Sequence, residues 1–392
     1  MAICIHNGKL LNGISDEGLC AVLINNSGKI DDVFSEQRFK KKTFSSDVKI
    51  IDAHKNFIAP GLIDTHIHGF NGHGTDVCTR DGILQMSKDL ASYGITSFNP
   101  TLYPGPIDEM IHNIEEIVSA MGYEEGAKIK GIHLEGPFIS PFKPGVQKPD
   151  YIRLPDISLM QRFWDASKGH IVNMTVAPEL KGMRELALFC TEKGIVLQAG
   201  HTNAMYENMV EGIQVGILHV THLYNAMSSL HHRNPGATGA VLIHPEMSCE
   251  IIADGVHVHK DLFKLLQRDK SVEQIVLITD ALTPTEQKTK PLYANGEEVV
   301  FKGGCFRRKS DGVIAGSALT LMKAVKNVNS YGFSLCDTIR FATANPARIM
   351  KYTDIGMLAP GYSADLIIFD KKFNVKTVMI NGKIIKEEKI GD

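Results

Sequence analysis

Two histidines stand two residues apart in the segment Phe57-Ile-Ala-Pro-Gly-Leu-Ile-Asp-Thr-His-Ile-His-Gly69. The run from Phe57 to Ile67 is apolar and rich in branched side chains, and it reads as one buried strand. In a strand, residues i and i+2 point to the same side. The imidazoles of His66 and His68 therefore face one way at its C-terminal end. Two neutral imidazoles converging on one point supply half of a metal site. Other chemistry-bearing residues close other short apolar runs: Glu135, His201, His222 and Asp280. Together these are four imidazoles and two carboxylates. That is a donor set for one or two divalent ions, with a coordination position left for water.

Such a set works only if distant segments bring it together. The centre of the chain alternates apolar runs with helical patterns. The runs lie around Ile63 to Ile67, Ser97 to Leu102, Ile129 to Leu134, Val172 to Ala177, Ile195 to Ala199, Leu218 to Thr221, Cys249 to Ala253 and Gln274 to Ile278. Helical patterns fall over Gly82 to Tyr93, Ile107 to Met121, Met183 to Lys193 and Met205 to Val215. Eightfold strand–helix alternation predicts an α/β chain folded as a (β/α)8 TIM barrel, whose active sites lie at the C-terminal ends of the strands. An open doubly wound sheet is the competing fold. It would carry a glycine-rich fingerprint after its first strand, and none is found. Both chain ends differ from this centre. They hold short strand-like runs punctuated by turn signals such as Asn381-Gly382. Residues 1–57 and 355–392 are thus expected to form one small β-sandwich domain beside a catalytic barrel of residues 58–354.

Composition narrows the function classes. The chain has 392 residues, 43% hydrophobic and 22% charged, with a formal net charge of −2. These are values of a soluble globular protein. No basic surplus points to nucleic acid, and no apolar run approaches a membrane span. The start turns polar within a few residues, so no secretory signal is expected. Seven cysteines, odd in number and without CxxC spacing, read as reduced thiols of a cytoplasmic protein.

Several blocks resemble the amidohydrolase superfamily. Pro60-Gly-Leu-Ile-Asp-Thr-His-Ile-His-Gly69 is similar to its opening motif. His133-Leu-Glu-Gly-Pro-Phe138, Ala199-Gly-His-Thr202, Thr221-His-Leu-Tyr-Asn-Ala-Met227, Ala253-Asp-Gly-Val-His257 and Thr279-Asp-Ala281 resemble its branch of amino-sugar-phosphate deacetylases. The resemblance runs through to Ala359-Pro-Gly-Tyr-Ser-Ala-Asp-Leu366. It implies that Glu135, His201 and His222 hold the ion that activates water, with His66 and His68 supporting a second. Many relatives bridge two metals with a carbamylated lysine, and Glu135 stands in that role here. Zinc is the implied metal, with iron, manganese or cobalt as substitutes. Asp280 is the implied general base and acid, and a ligand as well; the competing role for a strand-end aspartate is to cap the next helix.

The implied reaction is metal-dependent hydrolysis of N-acetyl-D-glucosamine 6-phosphate to D-glucosamine 6-phosphate and acetate, a step of amino-sugar breakdown. Val146, Gln147, Asn225, Ala226, His257 and Ile314 are the implied substrate contacts. Arg233, in the His231-His-Arg-Asn-Pro-Gly236 loop, is implied to reach the phosphate in a neighbouring subunit, which makes a homodimer. One departure stands out: Lys143-Pro-Gly-Val-Gln147 has glutamine where another branch has histidine, and this blurs the choice between glucosamine and galactosamine epimers. The alternatives are the galactosamine reaction, another amidohydrolase such as an adenine deaminase or cyclic-amide hydrolase, and a non-catalytic sugar-phosphate sensor.

Overall fold

The computed structural model describes residues 2–388. Eight parallel strands form its centre: Leu62–Ile67, Ile95–Leu102, Ile132–Glu135, Ile171–Val176, Val196–Ala199, His219–Val220, Ser248–Ile252 and Ile275–Ile278. Each pairs in parallel with the next in this order. The eighth meets the first through bonds just past their ends. Asp280 N donates to His66 O at 2.9 Å, and His68 N and Gly69 N both donate to Ala281 O at 3.0 Å. The Asp64 carboxylate reinforces this seam by accepting from Thr279 Oγ1 at 2.7 Å. The result is a nearly closed (β/α)8 barrel.

Helices wrap the barrel because their apolar residues repeat at three- and four-residue spacing. Arg80–Ser92 buries Ile83, Met86, Leu90 and Ala91 and is capped by Thr79, whose side chain accepts from Gly82 N. Ile107–Ala120 buries Met110, Ile114, Ile117 and Ala120. The barrel strands are covered on both faces, so they read as continuous apolar runs. Inside the barrel a polar layer satisfies itself: Asn99 donates to Asn173 at 3.2 Å, and Asn173 donates to Gln198. Among the described residues, no helix is long and apolar enough to cross a membrane.

The two chain ends join in one sheet. Ile3–Leu11, Asp16–Ile24, Ile30–Ser35, Lys49–Asp52, Phe57–Pro60, Leu366–Phe369, Val375–Ile380 and Lys383–Glu387 share one hydrogen-bonded ladder. It branches at Ile3–Leu11, which pairs with Lys49–Asp52 near its start and with Phe57–Pro60 near its end. Ile5, Val22, Ile58, Leu366, Ile368 and Met379 bury one apolar cluster drawn from both ends.

Two expectations need correction, and one element was not anticipated. The single strand from Phe57 to Ile67 is broken at Gly61. Phe57–Pro60 pairs antiparallel with Leu366–Phe369, so these residues belong to the sheet of the ends rather than to a barrel starting at residue 58. At the break the hydrogen-bond partner changes, from Asp365 O for Gly61 N to Gly94 O for Leu62 N, and only glycine fits, since a Cβ at Gly61 would lie 2.1 Å from Thr96 Cγ2. The third run also divides. Lys128–Ile129 pairs beside Ser97 and Phe98, and the barrel strand proper is Ile132–Glu135. Lastly, a four-stranded antiparallel sheet intervenes between the eighth barrel strand and the helix Leu321–Ser330. Its strands are Leu292–Ala294, Glu297–Lys302, Cys305–Arg308 and Ile314–Ser317, and its last strand borders the cavity described next.

Candidate metal centre and active site

All six anticipated donors meet at the C-terminal face of the barrel. His66 lies on the first strand and His68 just beyond it; Glu135 ends the third strand. His201, His222 and Asp280 follow the fifth, sixth and eighth strands. Their backbones are turned into the left-handed region, with φ of 45°, 28° and 49°. Each such residue costs about 1–3 kcal/mol and persists only where surroundings enforce it, most often at functional sites.

The donors form two groups joined by one carboxylate. In the first, Glu135 Oε1 lies 3.1 Å from both His201 Nε2 and His222 Nε2, and these two nitrogens are 3.2 Å apart. In the second, Asp280 Oδ1 lies 3.6 Å from His66 Nε2 and 3.4 Å from His68 Nε2. Glu135 reaches this group too, with Oε1 3.4 Å from His66 Nε2 and Oε2 3.3 Å from His68 Nε2. Within each group the donor atoms lie within 4.8 Å of one another.

Three imidazoles are oriented from behind through Nδ1. His68 faces the Thr101 carbonyl at 3.0 Å, His201 the Lys143 carbonyl at 3.0 Å, and His66 the Glu250 carboxylate at 3.1 Å. A donating Nδ1–H leaves Nε2 with its lone pair toward the centre, the tautomer a metal needs. Tyr103 stacks on His68 at 3.8 Å between ring centroids.

The electrostatics favour a cation here. Burial alone would raise the Glu135 carboxyl, but His201 and His66 outweigh it and hold it well below the usual range. Asp280 is lowered as well, because the hydrogen bond from His68 and the charge of His66 overcome burial. Burial disfavours protonated His66, yet Glu135 and Glu250 raise its proton affinity well above the ordinary histidine value. A nest of carboxylates that pulls protons onto imidazoles will equally attract a metal ion.

Two further observations fit the donors to divalent metal. His66 Nε2 is fully buried and has no hydrogen-bond partner among the described residues, a cost that a metal bond removes. Likewise, two imidazole Nε2 atoms at 3.2 Å repel unless a proton or an ion lies between them or beside them. Imidazole and carboxylate donors suit zinc and its first-row neighbours.

A cavity of about 310 Å³ opens above the donors. Val146, Gln147, Asn225, Ala226, His257 and Ile314, named from the sequence as substrate contacts, all line it. His257 is fixed by Asp254, whose Oδ2 lies 2.6 Å from its Nδ1. Gln147 donates Nε2–H to Glu135 Oε2 at 2.6 Å, while its Oε1 has no partner among the described residues. Arg233 does not line the cavity of its own chain; it is exposed, in a turn where its N donates to His231 Nδ1 at 3.3 Å. Sequence reasoning passed over Glu250 and Tyr103. Glu250 left one signal, a charge inside the apolar run Cys249-Glu-Ile-Ile-Ala253. Tyr103 left none, since an aromatic after a strand is commonplace.

Comparison with known proteins gives the family. The chain is 33% identical over 368 residues to the N-acetylglucosamine-6-phosphate deacetylase of Bacillus subtilis (strain 168), covering 92% of this chain and 91% of that one. It is 30% identical over 342 residues to the N-acetylgalactosamine-6-phosphate deacetylase of Escherichia coli O157:H7, covering 86% and 90%. A Mycobacterium smegmatis N-acetyl-D-glucosamine-6-phosphate deacetylase, solved in complex with N-acetyl-D-glucosamine 6-phosphate, superposes with a TM-score of 0.89 at 26% identity, covering 98% of this chain and 99% of that one. The model of the amidohydrolase family matches residues 57–385, and the chain belongs to that family.

Proposed function

We propose that this protein hydrolyses N-acetyl-D-glucosamine 6-phosphate to D-glucosamine 6-phosphate and acetate. The observation that carries the reading is Glu135, shared between two donor groups beneath a cavity open to Asp280. The family is metal-dependent, and zinc suits the donors, with iron, manganese or cobalt able to replace it. His201 and His222 with Glu135 would hold one ion; His66 and His68 with Asp280 would hold a second. When bound, such ions lower the pKa of water toward about 7 and polarise the acetyl carbonyl.

The chain's own residues supply the rest. Asp280, kept ionised by its histidine neighbours, accepts the proton of the attacking water. It then returns that proton to the amine nitrogen as the C–N bond breaks, since an amine anion is too basic to leave. Gln147 holds Glu135 in place and can present its free Oε1 to the substrate. Val146, Asn225, Ala226, His257 and Ile314 surround the sugar. Arg233, exposed outside its own cavity, would reach the phosphate of a partner subunit in a homodimer, where its planar fork suits a phosphate. The unpaired cysteines suit a reducing compartment, and we place the enzyme in the cytoplasm.

A second reading is supported by the galactosamine relative: the same reaction on the C4 epimer. Acetate release from both epimeric 6-phosphates, with metal analysis of the same sample, tests both. We expect turnover of the glucosamine substrate and metal bound to the protein. Faster turnover of the galactosamine epimer would reassign the substrate. No acetate from either would overturn the deacetylase reading.

A further inference from the structure

Glu250 sits in the middle of the seventh barrel strand, Ser248–Ile252, with no exposed surface. That strand contributes none of the six donors. A carboxylate sealed inside a barrel is unfavourable unless it is hydrogen-bonded and charge-compensated. Its neighbours say what compensates it. Oε2 lies 3.1 Å from His66 Nδ1, Oε1 accepts from Thr65 Oγ1 at 3.3 Å, and His219 Nε2 lies 3.9 Å from Oε1. Through His66 the carboxylate connects directly to the second donor group. His68 and His201 are backed by neutral carbonyls instead, and His222 Nδ1 has no partner among the described residues. Of the four site imidazoles, His66 is the one braced by a charge.

The charge balance points the same way. With neutral imidazoles, the three carboxylates that face the His66 ring, Glu135, Asp280 and Glu250, bring three negative charges to it. One divalent ion leaves a net negative charge there; two compensate it and leave room for an anionic ligand. We propose that Glu250 is the positioning residue that creates the second cation position. It holds the His66 ring and tautomer so that Nε2 faces His68 and Asp280, and it supplies the negative charge that makes a second ion favourable. This rests on the reading of the site as a two-ion centre.

The test measures metal, not only rate. Wild type, Glu250→Gln and Glu250→Leu are equilibrated in a zinc-buffered series, and ions per chain are counted. Nitrogen NMR of metal-stripped protein reports the His66 tautomer. We expect two ions in wild type. In Glu250→Gln, which keeps an acceptor but loses the charge, the second ion should bind about 10- to 100-fold more weakly, the usual scale for such partners. The first ion should bind as before. Glu250→Leu should lose the second ion and the fixed tautomer; if it does not fold, the isosteric glutamine variant decides alone. Glu250→Gln should weaken the second ion less in a His66→Ala background than in wild type, because the positioning part of its effect acts through that ring. Equal two-ion binding in wild type and Glu250→Gln, or equal weakening of both ions, overturns the proposal while acetate release leaves the activity intact. A wild type that takes a single ion overturns the proposal together with the two-ion reading.

Discussion

The Glu135–His201–His222 group and the His66–His68–Asp280 group reach one cavity by different routes. The first is drawn together on strained turns: His201 and His222 have positive φ, and their Nε2 atoms close to 3.1 Å on one carboxylate oxygen. The second starts from plain strand register. His66 and His68 face inward because they are two residues apart, and they need Glu250 and the Thr101 carbonyl behind them to fix their rings. Both histidines of the first group sit on left-handed backbone; the second group shares that strain only at Asp280 and sets its histidines by register and by hydrogen bonds from the barrel interior. Glu135 belongs to both, so the two are not independent.

The sharpest way to break this comparison is Glu135→Gln. Losing the shared charge should strip metal from both groups and lower kcat beyond about 10³-fold, more than a single stabilising donor is worth. Metal content and acetate release measured together check this. Retention of one ion at full affinity would mean that the groups are separate after all.

Asp280→Asn touches the second group alone. It keeps shape and some hydrogen bonding but cannot accept a proton. We expect kcat to fall at least about 10²-fold, with the ion of the first group retained and the fold unchanged by circular dichroism. A near-normal rate would assign the proton transfers elsewhere.

Arg233→Ala lies outside both groups and should have the smallest effect. KM for the 6-phosphate should rise about 10- to 100-fold, the worth of a charge-assisted contact, with metal content unchanged. Unphosphorylated N-acetylglucosamine should be turned over no worse than by wild type. Equal losses on both substrates would make the arginine structural. If the contact crosses subunits, mixing this variant with Asp280→Asn should restore activity in hybrid dimers. If subunits demonstrably exchange and no activity returns, Arg233 acts within its own chain.

Much of this site was readable from local pattern. The His66-x-His68 register follows from strand periodicity, and the polar residues closing apolar runs are unusual because a buried strand end tolerates them only with partners. The resemblance of the Leu134-Glu-Gly-Pro137 and Thr221-His-Leu-Tyr-Asn-Ala-Met227 blocks added the roles. The break at Gly61 was hidden, since it is a change of pairing partner from Leu366–Phe369 to a barrel strand, both distant in sequence. The four-stranded sheet from Leu292 to Ser317 was hidden too: its short antiparallel strands show no strong alternation, although Ile314 from its last strand lines the cavity.

Types, spacing and order of the donors are properties of the chain alone, because side-chain direction in a strand depends only on i and i+2. The same holds for the alternation that makes a barrel. What folding decided is distance. Only closure of the barrel sets Glu135 against four histidines drawn from three other strands, turns His201, His222 and Asp280 into left-handed backbone, and places Glu250 behind His66 across 184 residues of sequence. Long-range contacts of this kind leave no periodic trace, since each depends on where a different strand runs in space.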